Sequence, residues 1–149
     1  MKKIIFITLI LLILFTVTIN IPFIEKSKIN LENDALVYYL ESFGEGTFHI
    51  KIFNDGSIKV LEYRTGKYKL IDTLSNDKLE QLKNSINNNE FTIKKNSLWK
   101  KYRIRYPGCV DCYMATDIFI NKNGKTILIS ENKIVFEIIK ELKTKGIKL

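Results

Sequence analysis

The sequence predicts one α+β domain, in which a mostly antiparallel sheet carries two helices on one face and an N-terminal hydrophobic helix precedes them. Three observations support this. Short runs of alternating apolar and polar residues recur along the chain and indicate strands. Asp55-Gly56 and Asn123-Gly124 are typical of the tight turns that join antiparallel strands. Residues 79–86 and 135–142 have apolar side chains at helical spacing. The predicted order is β-β-β-α-β-β-β-α.

Composition agrees with a folded domain and excludes several other classes of protein. The chain has 149 residues, of which 46% are hydrophobic and 27% are charged. These values are typical of globular proteins and exclude a collagen-like, low-complexity or wholly disordered chain. The 24 basic and 16 acidic residues give a formal charge of +8. This charge is a weak guide to partners, because it comes mainly from an abundance of Lys and only three of the basic residues are Arg.

The N-terminus predicts a membrane anchor. After Met1-Lys2-Lys3 no charged residue occurs up to Ile24, whereas a signal-peptide core has about 7–15 apolar residues and a spanning helix about 20. The best cleavage site, Thr16-Val17-Thr18, is a poor one. We therefore expect residues 1–24 to be an uncleaved, single-pass signal anchor that contacts the bacterial cell membrane through residues 4–24, with the C-terminal domain outside. A cleaved signal peptide and a secreted domain are the alternative.

The remaining chain divides by composition. Residues 25–34 are polar and predict a linker, and residues 35–149 predict a small α+β domain. Alternation of apolar and polar residues predicts six strands within it. They lie at 47–53, 57–63, 68–71, 101–106, 113–120 and 125–130.

The first helix of the domain has clear signals at both ends. Ser75 is a good N-cap residue, and Asp77 lies in the first turn, where a negative charge is favourable. Asn87-Asn88-Asn89 predicts the end of the helix, because Asn tolerates the left-handed backbone conformation found there. The residues of the apolar stripe are Leu79, Leu82 and Ile86.

The second helix follows Asn132, which is a suitable N-cap residue. Gly146 predicts its end. Glu141 and Lys145 are four residues apart and are expected to form an ion pair within the helix. The residues of its apolar stripe are Val135, Ile138, Ile139 and Leu142.

The turn and helix residues between Gly46 and Lys145 occur in an order that is also found in a group of known proteins. They are Asn54-Asp55-Gly56, Gly66, Leu74-Ser75, Leu79, Leu82, Phe91, Asn123-Gly124-Lys125 and Ile138–Leu142. In this order the chain resembles a diffuse group of small secreted bacterial α+β domains. The group includes uncharacterised lipoprotein-like domains and emfourin, an inhibitor of thermolysin-type metalloproteases. The resemblance implies a shared scaffold, and its emfourin branch implies protease inhibition.

The sharpest local motif is Cys109-Val110-Asp111-Cys112. A structural disulfide between Cys109 and Cys112 is the favoured interpretation, because nearby thiols pair readily in an oxidising compartment. A redox dithiol is a second interpretation, although Asp111 between the sulfurs opposes the lowered thiol pKa that such a site needs. A zinc site would need four ligands, and His49 is the only histidine that could join the two cysteines. Free thiols are the fourth interpretation.

Sequence motifs of the common enzyme classes are missing. The sequence contains no nucleophile elbow, phosphate-binding loop, dinucleotide-binding glycine motif, His-Glu-x-x-His zinc motif or calcium-binding loop. His49 is out of phase with Phe48 and Ile50, and we expect it to be an exposed strand residue. We expect no catalytic residue, no cofactor and no metal.

The densest basic cluster lies between residues 94 and 105, with Trp99 and Tyr102 among its members. A solvated strand face is the first interpretation, since charged edge strands resist aggregation. Contact with anionic lipid head groups or an acidic wall polymer is the second. Nucleic acid is the third, and we do not expect it as a partner. The basic residues of the cluster are Lys94, Lys95, Lys100, Lys101, Arg103 and Arg105.

The sequence therefore predicts a non-enzymatic, membrane-tethered and outward-facing interaction or binding module. Its partner would be an anionic lipid, a wall polymer or another protein. An inhibitor like emfourin is the alternative within the same class. A thiol-disulfide oxidoreductase that uses Cys109 and Cys112 is the rival from a different class.

Overall fold

The structure is a computed structural model that describes residues 2–24, 29–43, 46–62, 64–97 and 115–145. It is α+β, as predicted, with three helices and an antiparallel sheet of seven strands in these ranges. In chain order the elements are α1 (Lys2–Asn20), β1 (Phe23–Ile24), β2 (Ala35–Phe43), β3 (Gly46–Phe53), β4 (Ser57–Glu62), β5 (Lys67–Thr73), α2 (Asn76–Asn87), β6 (Thr92–Ile93), β7 (Lys95–Asn96), β8 (Ala115–Lys122), β9 (Lys125–Glu131) and α3 (Lys133–Thr144).

The seven-stranded sheet contains two strands that the sequence did not predict, the central strand β2 and the short edge strand β6. Its order is β5-β4-β3-β2-β8-β9-β6, so β2 lies in the middle and pairs with both β3 and β8. Four of its strands therefore precede α2, instead of the predicted three. The strand predicted at 101–106 lies outside the described residues.

Contacts along the chain divide it into two units. One comprises Met1–Glu25 and Lys95–Gly108, and the other comprises Lys26–Lys94 and Cys109–Leu149. The described part of the first unit contains α1 and the two-stranded pairing of β1 with β7. The second unit contains the seven-stranded sheet with α2 and α3.

The predicted membrane anchor is wrong. No helix in the described part of the chain is both long enough and apolar enough to cross a membrane. The uncharged run continues to Ile24, but α1 ends at Asn20 because the residue before Pro22 disfavours helical geometry, and Phe23–Ile24 is a strand. This finding contradicts three predictions made from residues 1–24, namely the signal anchor, the transmembrane helix and the single-pass location. The secreted alternative stays a prediction.

Both helices of the second unit pack on the same face of the sheet. Fully buried strand residues such as Val37, Ile50 and Ile118 form one core with Leu82 of α2 and Val135 of α3. The buried residues of each helix include the predicted apolar stripe. They are Leu79, Leu82 and Ile86 of α2, and Val135, Ile138, Ile139 and Leu142 of α3.

The opposite face of the sheet has a smaller apolar cluster. Tyr38, Phe119 and Leu128 form it, and Ile29 and Leu31 pack against them. The backbone N–H of Leu31 donates to Thr126 Oγ1 at 2.9 Å. The described part of the predicted linker therefore lies along the sheet.

The turns at Gly56 and Asn123-Gly124 and the caps at Ser75 and Asn132 are confirmed. Gly146, the predicted end of the second helix, lies outside the described residues. Ser75 Oγ accepts a hydrogen bond from Lys78 N at 3.4 Å, and Asn132 Oδ1 accepts one from Val135 N at 3.0 Å. Gly56, between β3 and β4, has a φ of +82°, and a side chain there would meet Leu79 Cδ2 at 3.4 Å. Such a contact is an ordinary one, so glycine is favoured at this turn by backbone conformation.

The ion pair predicted within α3 is wrong. Glu141 pairs with Lys78 of α2, and Lys145 Nζ lies 2.5 Å from Asp72 Oδ2 of β5. Glu141 and Lys145 each lie within ion-pair distance of an oppositely charged side chain on a neighbouring element. These pairs connect α3 to α2 and to the sheet.

Candidate functional site

The site residues predicted from the sequence lie mostly outside the described part of the chain. This holds for Cys109 and Cys112, and also for Lys100, Lys101, Arg103 and Arg105. The disulfide and its redox, zinc and free-thiol alternatives therefore stay predictions. Only Lys94 and Lys95 of the basic cluster can be placed.

Lys94 and Lys95 belong to different units. Lys95 pairs with Ile24 in the β1–β7 ladder and is exposed. The Lys94 ammonium forms an ion pair with Asp117 of β8, and both side chains are less than one-third exposed. Because Asp117 balances its charge, Lys94 is a weaker contact for an anionic surface than its sequence position suggests. The predicted contact with anionic lipid or wall polymer stays a prediction for the cluster as a whole.

A cleft lies at one end of the seven-stranded sheet. It has a volume of about 430 Å³, within the range of roughly 300–1,000 Å³ that is usual for ligand sites. The start of β2, the β3–β4 turn, the end of α2 and the β8–β9 turn surround it. Antiparallel pairing places these segments together, because β2 begins at the same end of the sheet where β3 and β8 finish. We call it the asparagine cleft, and its lining residues are Asn33, Ala35, Leu36, Asn54, Lys83, Ile86, Asn87, Asn121, Asn123 and Gly124.

Turn chemistry explains why so many Asn residues meet there. Asn is favoured in turns and at helix ends because its short amide side chain tolerates left-handed or irregular backbone. Asn54 lies in the β3–β4 turn, Asn87 is the last residue of α2, and Asn123 has a φ of +52° in the β8–β9 turn. The sequence shows these residues as turn signals. Only the topology brings them into one cleft.

Hydrogen bonds hold the walls of the asparagine cleft in place. Asn54 N donates to Asp34 O at 2.8 Å, which connects the β3–β4 turn to the start of β2. Lys122 Nζ donates to the backbone carbonyl of Asn87 at 2.8 Å and to Asn89 Oδ1 at 2.6 Å. These bonds connect the β8–β9 hairpin to the end of α2. The cleft is therefore built on elements that are connected to one another.

The walls of the cleft are polar, but almost uncharged. Among the described residues that line the cleft, Lys83 is the only charged one, and its Nζ lies 3.3 Å from Glu80 Oε1. Ala35, Leu36 and Ile86 also line the cleft, but they are almost fully buried and present little apolar surface between the amides. Primary amides do not titrate near neutral pH and are not nucleophiles, so this arrangement suits binding better than catalysis.

A second cavity, of about 260 Å³, lies between β5, α2 and α3. The pairs Lys78–Glu141 and Lys145–Asp72 lie at this cavity. The hydrogen bond from Lys145 lowers the pKa of the Asp72 carboxyl. Because its charged groups are already paired with each other, this cavity is better explained by helix packing than by a ligand.

His49 is not the fully exposed strand residue that the alternation suggests. It lies on the sheet face opposite the helices and is partly buried, with its ring centroid 5.7 Å from that of Tyr38. The Tyr38 hydroxyl and His49 Nδ1 are within hydrogen-bonding distance, so the hydroxyl can donate to the unprotonated nitrogen. Burial lowers the pKa of His49 below its ordinary value.

We expect the free energy of unfolding to fall as the pH decreases from about 7 to about 5. In the unfolded chain His49 takes up a proton near its ordinary pKa of 6.5, whereas the folded protein resists protonation until a lower pH. The unfolded state therefore binds more protons in this window, and stability is lost as the pH falls. Urea unfolding at a series of pH values measures the effect. A His49→Gln variant should lose this pH dependence, and an unchanged slope in it would contradict the assignment.

Comparison of the chain with known protein families, with characterised proteins and with solved structures gives no match. The resemblance to emfourin and to lipoprotein-like domains therefore stays a prediction. The asparagine cleft is accordingly the feature from which a function is best argued.

Proposed function

We propose that this chain is a non-enzymatic binding module whose asparagine cleft binds a neutral, polyhydroxylated ligand such as a short oligosaccharide. The observation that carries the proposal is the convergence of five Asn residues around one cleft. The cleft belongs entirely to the unit that contains the seven-stranded sheet.

The amide side chain is the first argument for such a ligand. Each Asn offers a carbonyl oxygen that accepts and an NH₂ group that donates hydrogen bonds. A sugar hydroxyl also does both, so neighbouring hydroxyls on a ring can each find a partner. The side-chain amides of Asn87 and Asn121 form no hydrogen bond with another described residue. They are therefore available to a ligand.

The charge and the accessible wall of the cleft are the second argument. An anionic ligand would favour several cationic groups, but Lys83 is the only one among the described lining residues. Ala35, Leu36 and Ile86 are almost fully buried, so the accessible wall of the cleft is formed mainly by amide groups. A neutral ligand that offers hydroxyl groups to these amides therefore matches the cleft best.

Titration of the isotope-labelled protein with tri-N-acetylglucosamine and with maltotriose tests the proposal. We expect NMR signals of residues around the cleft to shift, and we expect the sugar complex to have a dissociation constant of about 1 mM. Trigalacturonate, an anionic sugar of similar size, should bind more weakly than the better neutral sugar. The proposal fails if neither neutral sugar shifts these signals at about 10 mM, a concentration that detects even weak binding.

Substitutions in the cleft should weaken binding without unfolding the protein. Asn87→Ala and Asn121→Ala each remove a hydrogen-bonding amide, and we expect each to weaken sugar binding about fivefold, since one hydrogen bond contributes about 1 kcal/mol. Asn76→Ala is the matched control, because Asn76 is exposed at the start of α2 and does not line the cleft. The same loss of affinity in Asn76→Ala would contradict the placement of the site.

A further inference from the structure

Strand β5 forms one edge of the seven-stranded sheet. It pairs with β4 on one side, and no strand in the described part of the chain pairs with its other side. Backbone N–H and C=O groups at a sheet edge can accept an added strand. The register shifts between Ile58 and Lys59, so the regular ladder on β5 covers residues 67–70.

The two faces of this edge differ in chemistry. Lys67 and Lys69 alternate with Tyr68 and Leu70, so the lysines share one face and the apolar side chains share the other. Leu70 is 56% exposed, which is unusual for a large apolar side chain on a strand. The Lys51 ammonium lies 4.3 Å from the centre of the Tyr68 ring and packs on it. Lys59 lies directly across the ladder from Leu70 on this same face. The edge therefore combines a basic face with a face on which apolar side chains lie beside lysines.

The basic face has unmatched charge. Lys67 and Lys69 form no ion pair with a described residue. Glu62 lies directly across the ladder from Lys67, and its carboxylate keeps its negative charge although it accepts a hydrogen bond from Thr65 Oγ1 at 2.9 Å. Asp72, further along β5, pairs with Lys145. Lys67 is therefore partly balanced by Glu62, and Lys69, opposite the uncharged Val60, is left for a partner.

We propose that the outer edge of β5 binds, by strand addition, an extended segment of a partner protein in which acidic and apolar residues alternate. In an added strand, alternate side chains point to opposite faces, so acidic residues come next to Lys67 and Lys69 while apolar residues come next to Tyr68 and Leu70. A second copy of this chain fits less well, because its β5 would add the same two lysines to the edge. The lysines thus repel most strands and select an acidic one.

This site is separate from the asparagine cleft, because no residue of β5 lines the cleft. Its test uses a different probe, so either proposal can fail without the other. The probe is a fluorescein-labelled peptide of about ten residues, the upper end of the usual range of strand lengths, in which Glu and Val alternate. Binding to the full chain is measured by fluorescence anisotropy. A peptide of the same composition, with its Glu and Val residues in two separate blocks, tests whether alternation matters.

We expect the alternating peptide to bind at least about tenfold more tightly than the block peptide. The variant Lys67→Glu/Lys69→Glu should lose at least about tenfold in affinity for it. That variant should instead bind a peptide of alternating Lys and Val. The matched control is Lys133→Glu/Lys140→Glu, which makes the same change in net charge on exposed positions of α3 and should leave binding nearly unchanged.

Three results would overturn the proposal. They are no binding of the alternating peptide, equal binding of the block peptide, and an equal loss of affinity in the α3 control. If the Lys67→Glu/Lys69→Glu variant does not fold, hydrogen exchange of the unmodified protein decides instead. Backbone N–H groups of β5 should then exchange more slowly when the alternating peptide is present, and unchanged exchange there would contradict strand addition.

Discussion

Replacing Asn132 by Ala is expected to lower the free energy of unfolding by about 3 kcal/mol, the largest effect that we predict. Asn132 is 1% exposed and caps α3, where its Oδ1 accepts a hydrogen bond from Val135 N at 3.0 Å. Its Nδ2 donates to Ser85 Oγ and to the Glu90 carbonyl, both at 3.1 Å. The side chain therefore caps one helix and connects it to the end of the other. Its loss leaves buried groups without partners.

Urea unfolding of the Asn132→Ala variant measures this loss. Ser75→Ala is the matched control, because Ser75 caps α2 in the same way but is exposed, and its side chain accepts a single hydrogen bond from a described residue, Lys78 N at 3.4 Å. We expect the control to lose about 1 kcal/mol, which is typical of an N-cap alone. Equal losses in the two variants would show that the bonds to Ser85 and Glu90 contribute nothing.

Replacing Lys143 by Met should lower the free energy of unfolding by about 2 kcal/mol. Lys143 of α3 reaches Glu41 of β2, and its Nζ lies 2.8 Å and 3.1 Å from the two carboxylate oxygens. Glu41 is only 8% exposed, so its carboxylate would be left in a poorly solvated place. The effect is smaller than for a fully buried pair, because the Lys143 side chain is 42% exposed and water can approach from that side.

A second substitution distinguishes the effect of an unpaired Glu41 carboxylate from the effect of lost side-chain packing. Burial raises the pKa of the Tyr39 hydroxyl, and the neighbouring Glu41 carboxylate raises it further. A Gln at position 41 has nearly the same shape as Glu and carries no charge. The double variant Glu41→Gln/Lys143→Met should therefore recover most of the stability that Lys143→Met loses. Lys140→Met on an exposed position of the same helix should change little, and failure of the double variant to recover would contradict the role of charge.

The anchor prediction shows how a composition signal can mislead. Residues 4–24 are uncharged, which is a property of the sequence alone. How much of that run is helical depends on backbone geometry, and the helix ends at Asn20, shortly before Pro22. Phe23 and Ile24 instead pair with Asn96 and Lys95, residues about 70 positions further along the chain.

Strand β2 shows a second limit. Ala35, Leu36, Val37, Tyr38 and Tyr39 are all buried. A strand in the middle of a sheet that is covered on both faces has apolar residues at successive positions and lacks the alternation by which strands are recognised. Its neighbours β3 and β8 lie on either side of it in space. Only the assembled sheet identifies β2 as a central strand.

Local sequence patterns are sufficient to predict the features that depend on neighbouring residues. These are the Gly56 and Asn123-Gly124 turns, the caps at Ser75 and Asn132, and the apolar stripes of α2 and α3. Their energies come from backbone conformation and from bonds within one turn, so the responsible residues are adjacent in the chain. The tertiary structure alone decided the ion-pair partners of Glu141 and Lys145, the meeting of the Asn residues in one cleft and the edge position of β5. Each of these depends on which distant segments the sheet brings together, and no local pattern records that choice.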